Sequence, residues 1–91
     1  MFLVYDEGVK SVNVGKIVEI YIEKGTRNYS EVFFVEASLV NGETTIFEIF
    51  DHLSEAKKYL TDLVDKINNM LAESKIKTIV KEVPMDEDIL D

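Results

Sequence analysis

The only histidine of the chain lies in a short polar segment that contains the three residue types of a hydrolytic triad. His52 follows Asp51 directly and stands two residues before Ser54. A Ser–His–Asp site is assembled in space from separate elements, so closeness in sequence does not make one. Ser54 is better explained as a helix cap and Asp51 as the exit from a strand. The segment therefore indicates no catalytic residue, and we expect no enzymatic activity.

A cluster of carboxylates near the end of the chain, Asp86, Glu87 and Asp88, is the best candidate for binding a hard cation. It lacks the ligand spacing and the glycine of a calcium loop. We therefore predict a solvated acidic tail that could contact a partner protein, and no metal site.

Other kinds of site are excluded by residue type. The chain has no cysteine, which rules out disulfides, thiolate nucleophiles and cysteine-based metal sites. Its four glycines are isolated and none opens a helix, so no phosphate-binding loop is predicted. We expect no cofactor.

The formal net charge of −8 limits the partners. A surface of this sign repels nucleic-acid phosphates and anionic membranes, so binding to either is not expected. The charge can serve solubility, or it can attract a basic protein. No apolar run reaches the length of a membrane span, and the first residues lack the features of a signal peptide, which favours a cytoplasmic protein.

One long amphipathic helix is predicted from about Ser54 to Glu73, with Ser54 as its N-cap. Its apolar residues recur at intervals of three and one, typical of one buried helix face. They are Ala56, Tyr59, Leu60, Leu63, Val64, Ile67, Met70 and Leu71.

The first half of the chain predicts strands. Val18, Ile20 and Ile22 alternate with polar residues, as in a strand with one buried face. A loop is expected over Lys24–Ser30, where the only arginine and a tyrosine could contact a ligand. Further strands are predicted for Glu31–Val40 and Thr44–Phe50, joined by a hairpin turn at Asn41-Gly42.

The ends of the chain add shorter elements. Phe2–Tyr5 is a predicted strand, and Val9–Val14 is predicted to be a second short strand or an irregular lead-in. Ile76–Val83 favours a short strand over a second helix because it is rich in β-branched residues. The fold class is therefore α+β, an antiparallel β-meander of three to five strands packed against one long amphipathic C-terminal helix. We expect one domain over residues 1–84 and an acidic, flexible tail over 85–91.

The apolar content of the sheet exceeds what one helix can cover, because both faces of two strands look apolar. A two-residue and a three-residue turn at Asn41-Gly42 pair these strands differently. The three-residue turn segregates the polar residues better, and we prefer it. It places four large apolar residues on the face away from the helix: Val32, Phe34, Ile46 and Phe50.

Three arrangements could cover that second face: the N-terminal strand or the Ile76–Val83 segment, a second copy of the chain, or another protein. The function expected is a small non-catalytic protein-interaction module, a homodimer that binds another protein through this apolar sheet face. The alternative is an acidic mimic of nucleic acid that inhibits a basic host protein. In architecture alone, the chain resembles small acidic proteins of bacteria, bacteriophages and mobile elements.

Overall fold

A computed structural model of the 91-residue chain describes residues 1–73 and 81–83, the backbone alone at 81 and 82. Its strands are β1 (Phe2–Tyr5), β2 (Lys10–Asn13), β3 (Ile17–Arg27), β4 (Ser30–Leu39), β5 (Thr44–Phe50) and β6 (Lys81–Glu82). One helix, α1 (Leu53–Glu73), follows β5, and a 3₁₀ turn over Val14–Lys16 precedes β3. The predicted α+β class is confirmed.

The strands form two sheets. β1 and β2 make an antiparallel hairpin, and the larger sheet has the order β5-β4-β3-β6. β3, β4 and β5 are the predicted antiparallel meander, since each pairs with the next along the chain. The short β6 joins the other edge of β3 in parallel orientation, with the amide of Val83 donating to the carbonyl of Ile20 at 3.0 Å. The strand predicted within Ile76–Val83 is thus found at its end, and residues 76–80 lie outside the described residues.

The β3–β4 hairpin is longer than predicted, because the expected Lys24–Ser30 loop is wrong. Both strands continue to a turn of only two residues, Asn28 and Tyr29, whose φ angles are 52° and 64°. This left-handed pair matches the twist of a two-residue hairpin. An ion pair between Lys24 Nζ and Glu31 Oε2, at 3.0 Å, links the two strands near the turn.

Tyr29 is fully exposed, and its left-handed backbone is strained because it carries a Cβ. We expect Tyr29→Gly to raise the free energy of unfolding by about 0.5 kcal/mol, the relief of strain being partly offset by the entropy of an unfolded glycine. Urea unfolding measures this. Asn28→Gly is the matched control and should gain less, since asparagine tolerates this conformation. A loss of stability in Tyr29→Gly would contradict the assignment of strain.

Helix α1 confirms the predicted helix but begins one residue earlier. Because it starts at Leu53, the predicted N-cap Ser54 lies inside the first turn, and the Ala56 amide donates to the His52 carbonyl at 3.2 Å. The buried residues of α1 all belong to the predicted apolar stripe: Ala56, Leu60, Leu63, Val64, Ile67 and Leu71.

One hydrophobic core lies between the larger sheet and the elements packed on it. The cluster includes Leu3 and Val12 of the N-terminal hairpin together with the apolar stripe of α1. The rings of Tyr5 and Phe47 lie 4.8 Å apart, and the Tyr5 hydroxyl is hydrogen-bonded to the Thr45 hydroxyl. The N-terminal hairpin and the helix therefore share one face of the sheet, here called the inner face.

Val18 is the one residue of the predicted alternation in β3 that does not face the core. The pairing with β4 shifts between Ile17 and Glu19, so Val18 is an extra residue with 48% of its surface exposed. Ile17 is buried in its place. A one-residue bulge turns the side chains that precede it to the opposite face of the sheet from the one that the alternation predicts. The alternation alone could not show this.

Candidate protein-interaction face

A second bulge, in β5, decides which residues lie on the sheet face away from the core, here called the outer face. Next to the turn, Ala37 pairs with Thr45, as in the preferred three-residue register. The pairing then shifts by one residue, so that Phe33 pairs with Phe50 and Phe34 with Ile49. The register of the three-residue turn is therefore correct next to the turn, and the register of the two-residue turn is correct at the far end of the hairpin.

The predicted placement of Phe50 on the outer face is wrong. Phe50 pairs with the buried Phe33 and packs against the core, with its ring 5.3 Å from that of Tyr59 in α1. Ile49 lies on the outer face in place of Phe50, because Ile49 pairs directly with Phe34. A bulge inserts one residue and turns every later side chain of the strand to the other face.

The other three predicted residues do lie on the outer face. Ile46 is 39% exposed, Phe34 is half-buried and Val32 is only 1% exposed, so Val32 offers little contact area. Phe34 lies against Gly25 of the adjacent strand, where an added Cβ would collide with the ring. The apolar residues of this face, Val32, Phe34, Ile46 and Ile49, are all absent from the core cluster and from the side chains packed on it.

Acidic residues of β3 lie beside these apolar residues. Glu23 pairs with Phe34, Tyr21 with Glu36, and Glu19 with Ser38, so all of them share the outer face. The alternation of Val18, Ile20 and Ile22 with polar residues predicts that Glu19, Tyr21 and Glu23 lie on the polar side of β3, but it does not connect them to the candidate face. The alternation in β3 is the signal that could have found them, once the pairing with β4 was known.

The Tyr21 hydroxyl donates a hydrogen bond to Glu36 Oε2 at 2.9 Å. Burial, this hydrogen bond and the charges of Glu36, Glu23 and Glu19 together raise the pKa of Tyr21 to about 12. Burial is the largest of these causes, and the three carboxylates add to it.

The raised pKa of Tyr21 gives a pH dependence with a definite sign. Because folding favours the protonated phenol, its contribution to stability is complete below pH 10, its ordinary pKa, and is lost as the pH rises through about 12. We expect the free energy of unfolding to fall more steeply over this range in the natural protein than in Tyr21→Phe, measured by urea unfolding. Equal slopes would contradict the shift. Glu36→Gln should give an intermediate slope, since it keeps an acceptor and removes a charge.

A surface hollow of about 270 Å³ lies between the end of β5 and α1, on the helix side of the sheet. It is lined by Phe50, Glu55, Lys58, Tyr59 and Asp62. Burial and the charge of Glu48 raise the pKa of Tyr59 above its ordinary value. The lining has apolar rings and mixed charges, but no pairing of a nucleophile with a base, so it suggests no reaction.

The residues that suggested chemistry in the sequence lie in one short segment at the surface. Asp51, His52 and Ser54 are all exposed where β5 passes into α1. Within residues 1–73 and 81–83, no group of three or more His, Asp or Glu side chains could hold a metal ion. The helix that the structure describes is not long and apolar enough to cross a membrane.

The predicted acidic contact, Asp86, Glu87 and Asp88, lies outside the described residues, as does the predicted tail over 85–91. Comparison of the chain with known protein families, curated proteins and solved structures finds no match.

Proposed function

We propose that this protein is a small non-catalytic interaction module that binds another protein through the outer face of its sheet. The observation that supports the proposal most is the set of apolar residues that is separate from the core: Phe34, Ile46 and Ile49. The N-terminal hairpin, which could have covered them, packs on the inner face with α1. Apolar side chains grouped on a sheet face that neither α1 nor the N-terminal hairpin covers are typical of a binding surface.

The homodimer expected from the sequence stays a prediction, and another protein is the occupant we favour. β5 is an edge strand of the described sheet, but Glu48 brings a charge to that edge and its carboxylate accepts a hydrogen bond from the Ile49 amide at 3.1 Å. Charged side chains on an edge strand oppose edge-to-edge pairing of two copies. A face-to-face dimer, the kind expected from the sequence, would bring Glu23 and Glu36 of one copy towards the same acids of the other. Light scattering tests this choice: a mass of 10.4 kDa supports a monomer, and twice that mass supports the homodimer.

The alternative of an acidic nucleic-acid mimic requires acids gathered on one surface. In the described residues they lie on several surfaces: Asp6 in the β1–β2 turn, Glu23 on the outer face, and Asp62 on the exposed side of α1. Lys58 and Lys66 interrupt the acids of α1. The interaction module therefore fits the distribution of charge better.

The proposal is tested by affinity capture from the native host, with the double variant Phe34→Ala/Ile46→Ala compared with the natural protein. The matched control is Phe2→Ala/Val4→Ala, which removes exposed apolar area from the solvent side of the N-terminal hairpin. We expect a captured protein to be lost with the first variant and kept with the second. Capture that is unchanged by the first variant, or lost only with the second, contradicts the proposal.

A further inference from the structure

The outer face has an acidic side and an apolar side, arranged in rows across the three meander strands. One row runs from Glu23 through Phe34 to Ile49, and the next from Tyr21 through Glu36 to Ile46. A third row runs from Glu19 through Ser38 to Thr44. Acidic residues thus follow β3, and isoleucines follow β5, about 10 Å away across two strand spacings.

Positive charge is scarce on this face among the side chains that the structure describes. Lys24 alternates with Glu23 along β3 and therefore points to the inner side, where it pairs with Glu31. Arg27 is the exception, at the far end of the face beside the hairpin turn. Lys81 of β6, whose side chain lies outside the described residues, pairs with Glu19 at the edge of the face. Glu23 and Glu36 pair with no lysine or arginine on the described strands beside them, so these two acids give this part of the face its negative charge.

The dimensions of the face suit an α-helix. Glu19 and Glu23 are four residues apart, so their positions span about 13 Å along β3. Basic residues two turns apart on a helix span about 11 Å, and an apolar stripe on the adjoining side would lie over β5. Phe34 and Ile46 present a broad half-exposed surface, and the hollow described above lies on the other side of the sheet.

We propose that the outer face binds a basic amphipathic α-helix of a partner protein, with its apolar side over Phe34, Ile46 and Ile49 and its lysines or arginines over Glu19, Glu23 and Glu36. Such a helix would be a third layer on a sheet that α1 and the N-terminal hairpin cover from one side only. The inference rests on the proposed function and specifies the class of partner.

A second copy of the chain is a poorer occupant for the same face. A two-fold dimer buries the same patch of both copies, so each acidic row would need cations from the other outer face. Arg27 is the only cation there among the described side chains. A partner that brings its own basic residues avoids this repulsion.

The test uses the whole protein and a defined probe, a 14-residue amphipathic peptide with lysines on one side and leucines on the other. Chemical shifts of backbone amides locate the binding, and a titration gives the dissociation constant. We expect the largest shifts at Glu23, Phe34 and Ile46. A peptide with glutamates in place of the lysines and a scrambled peptide of the same composition should not produce them. Shifts confined to α1 or the N-terminal hairpin overturn the inference.

A matched pair of double variants distinguishes the effect of charge on the outer face from the effect of the net charge of the protein on peptide affinity. Glu19→Gln/Glu23→Gln should weaken binding of the lysine–leucine peptide about fivefold, the size expected for two partly exposed ion pairs. Glu55→Gln/Asp65→Asn removes the same charge from exposed positions of α1 and should change the affinity less than twofold, because salt screens charges on the opposite side of the protein. Equal effects of the two variants overturn the inference.

Failure of the inference and failure of the proposed function give different results. If the native partner is lost with Phe34→Ala/Ile46→Ala but not with Glu19→Gln/Glu23→Gln, the outer face binds a protein that is not a basic helix. If light scattering shows a dimer whose concentration-dependent shifts map to the outer face, the occupant is a second copy. Either result overturns the basic helix and leaves a protein-binding face.

Discussion

Replacement of Phe33 by alanine is expected to lower the free energy of unfolding by about 3–5 kcal/mol, the usual cost of removing a buried phenylalanine. Phe33 is 6% exposed and belongs to the core cluster between the sheet and α1. The loss has two parts, the apolar surface returned to water and the cavity left among side chains that cannot all move to fill it. For a domain of this size, so large a loss removes much of the total stability.

Phe34, the next residue, is the matched control because the same chemical change is made on the other face of the same strand. We expect Phe34→Ala to cost about 1 kcal/mol, the size typical of a substitution outside the core. Phe34 is half-buried and is not part of the core cluster. Urea unfolding of both variants measures the difference. Equal losses would show that the outer face is as important to folding as the core, and would contradict its separation from the core.

Replacement of Ile67 by alanine is expected to lower the free energy of unfolding by about 2–5 kcal/mol. Ile67 lies in the middle of the apolar stripe of α1 and has no exposed surface. Because the stripe packs on β3, β4 and β5 rather than on its own turns, the cost comes from tertiary packing and not from helix propensity. Chemical unfolding followed by circular dichroism measures it, and helix and sheet signals should be lost together.

Asp65 gives the control for this prediction, since it lies two residues earlier on the exposed side of the same helix. Asp65→Ala should change the stability by less than about 0.5 kcal/mol, as for most surface substitutions. It also raises local helix propensity, so a small gain is allowed. If Asp65→Ala were as costly as Ile67→Ala, the helix would not be oriented as described.

Most of the fold could be predicted because its signals are local. The stripe from Ala56 to Leu71 identifies α1 through spacings within one helix, and Asn41-Gly42 identifies a hairpin through two adjacent residues. Such patterns depend on neighbouring residues only. The long β3–β4 hairpin was missed because its turn, Asn28-Tyr29, uses a tyrosine where glycine is the usual signal.

The bulges are the features that the sequence did not reveal. Val18 and the shift in the pairing of β5 follow from how whole strands fit on one another, and neither has a glycine at the bulge as a local mark. Each bulge inserts one residue, and one residue is enough to move a side chain to the other face. Phe50 was therefore expected on the outer face and lies on the inner one.

The sequence by itself determined that the chain is acidic and has no cysteine, and that apolar residues stand on both sides of two of its strands. These are properties of residue types and local spacing. Only the tertiary structure decided that Ile49 rather than Phe50 joins Phe34, and that the glutamates of β3 lie beside them. Those neighbours are far apart in sequence and are brought together by strand pairing, whose register depends on the packing of the entire sheet.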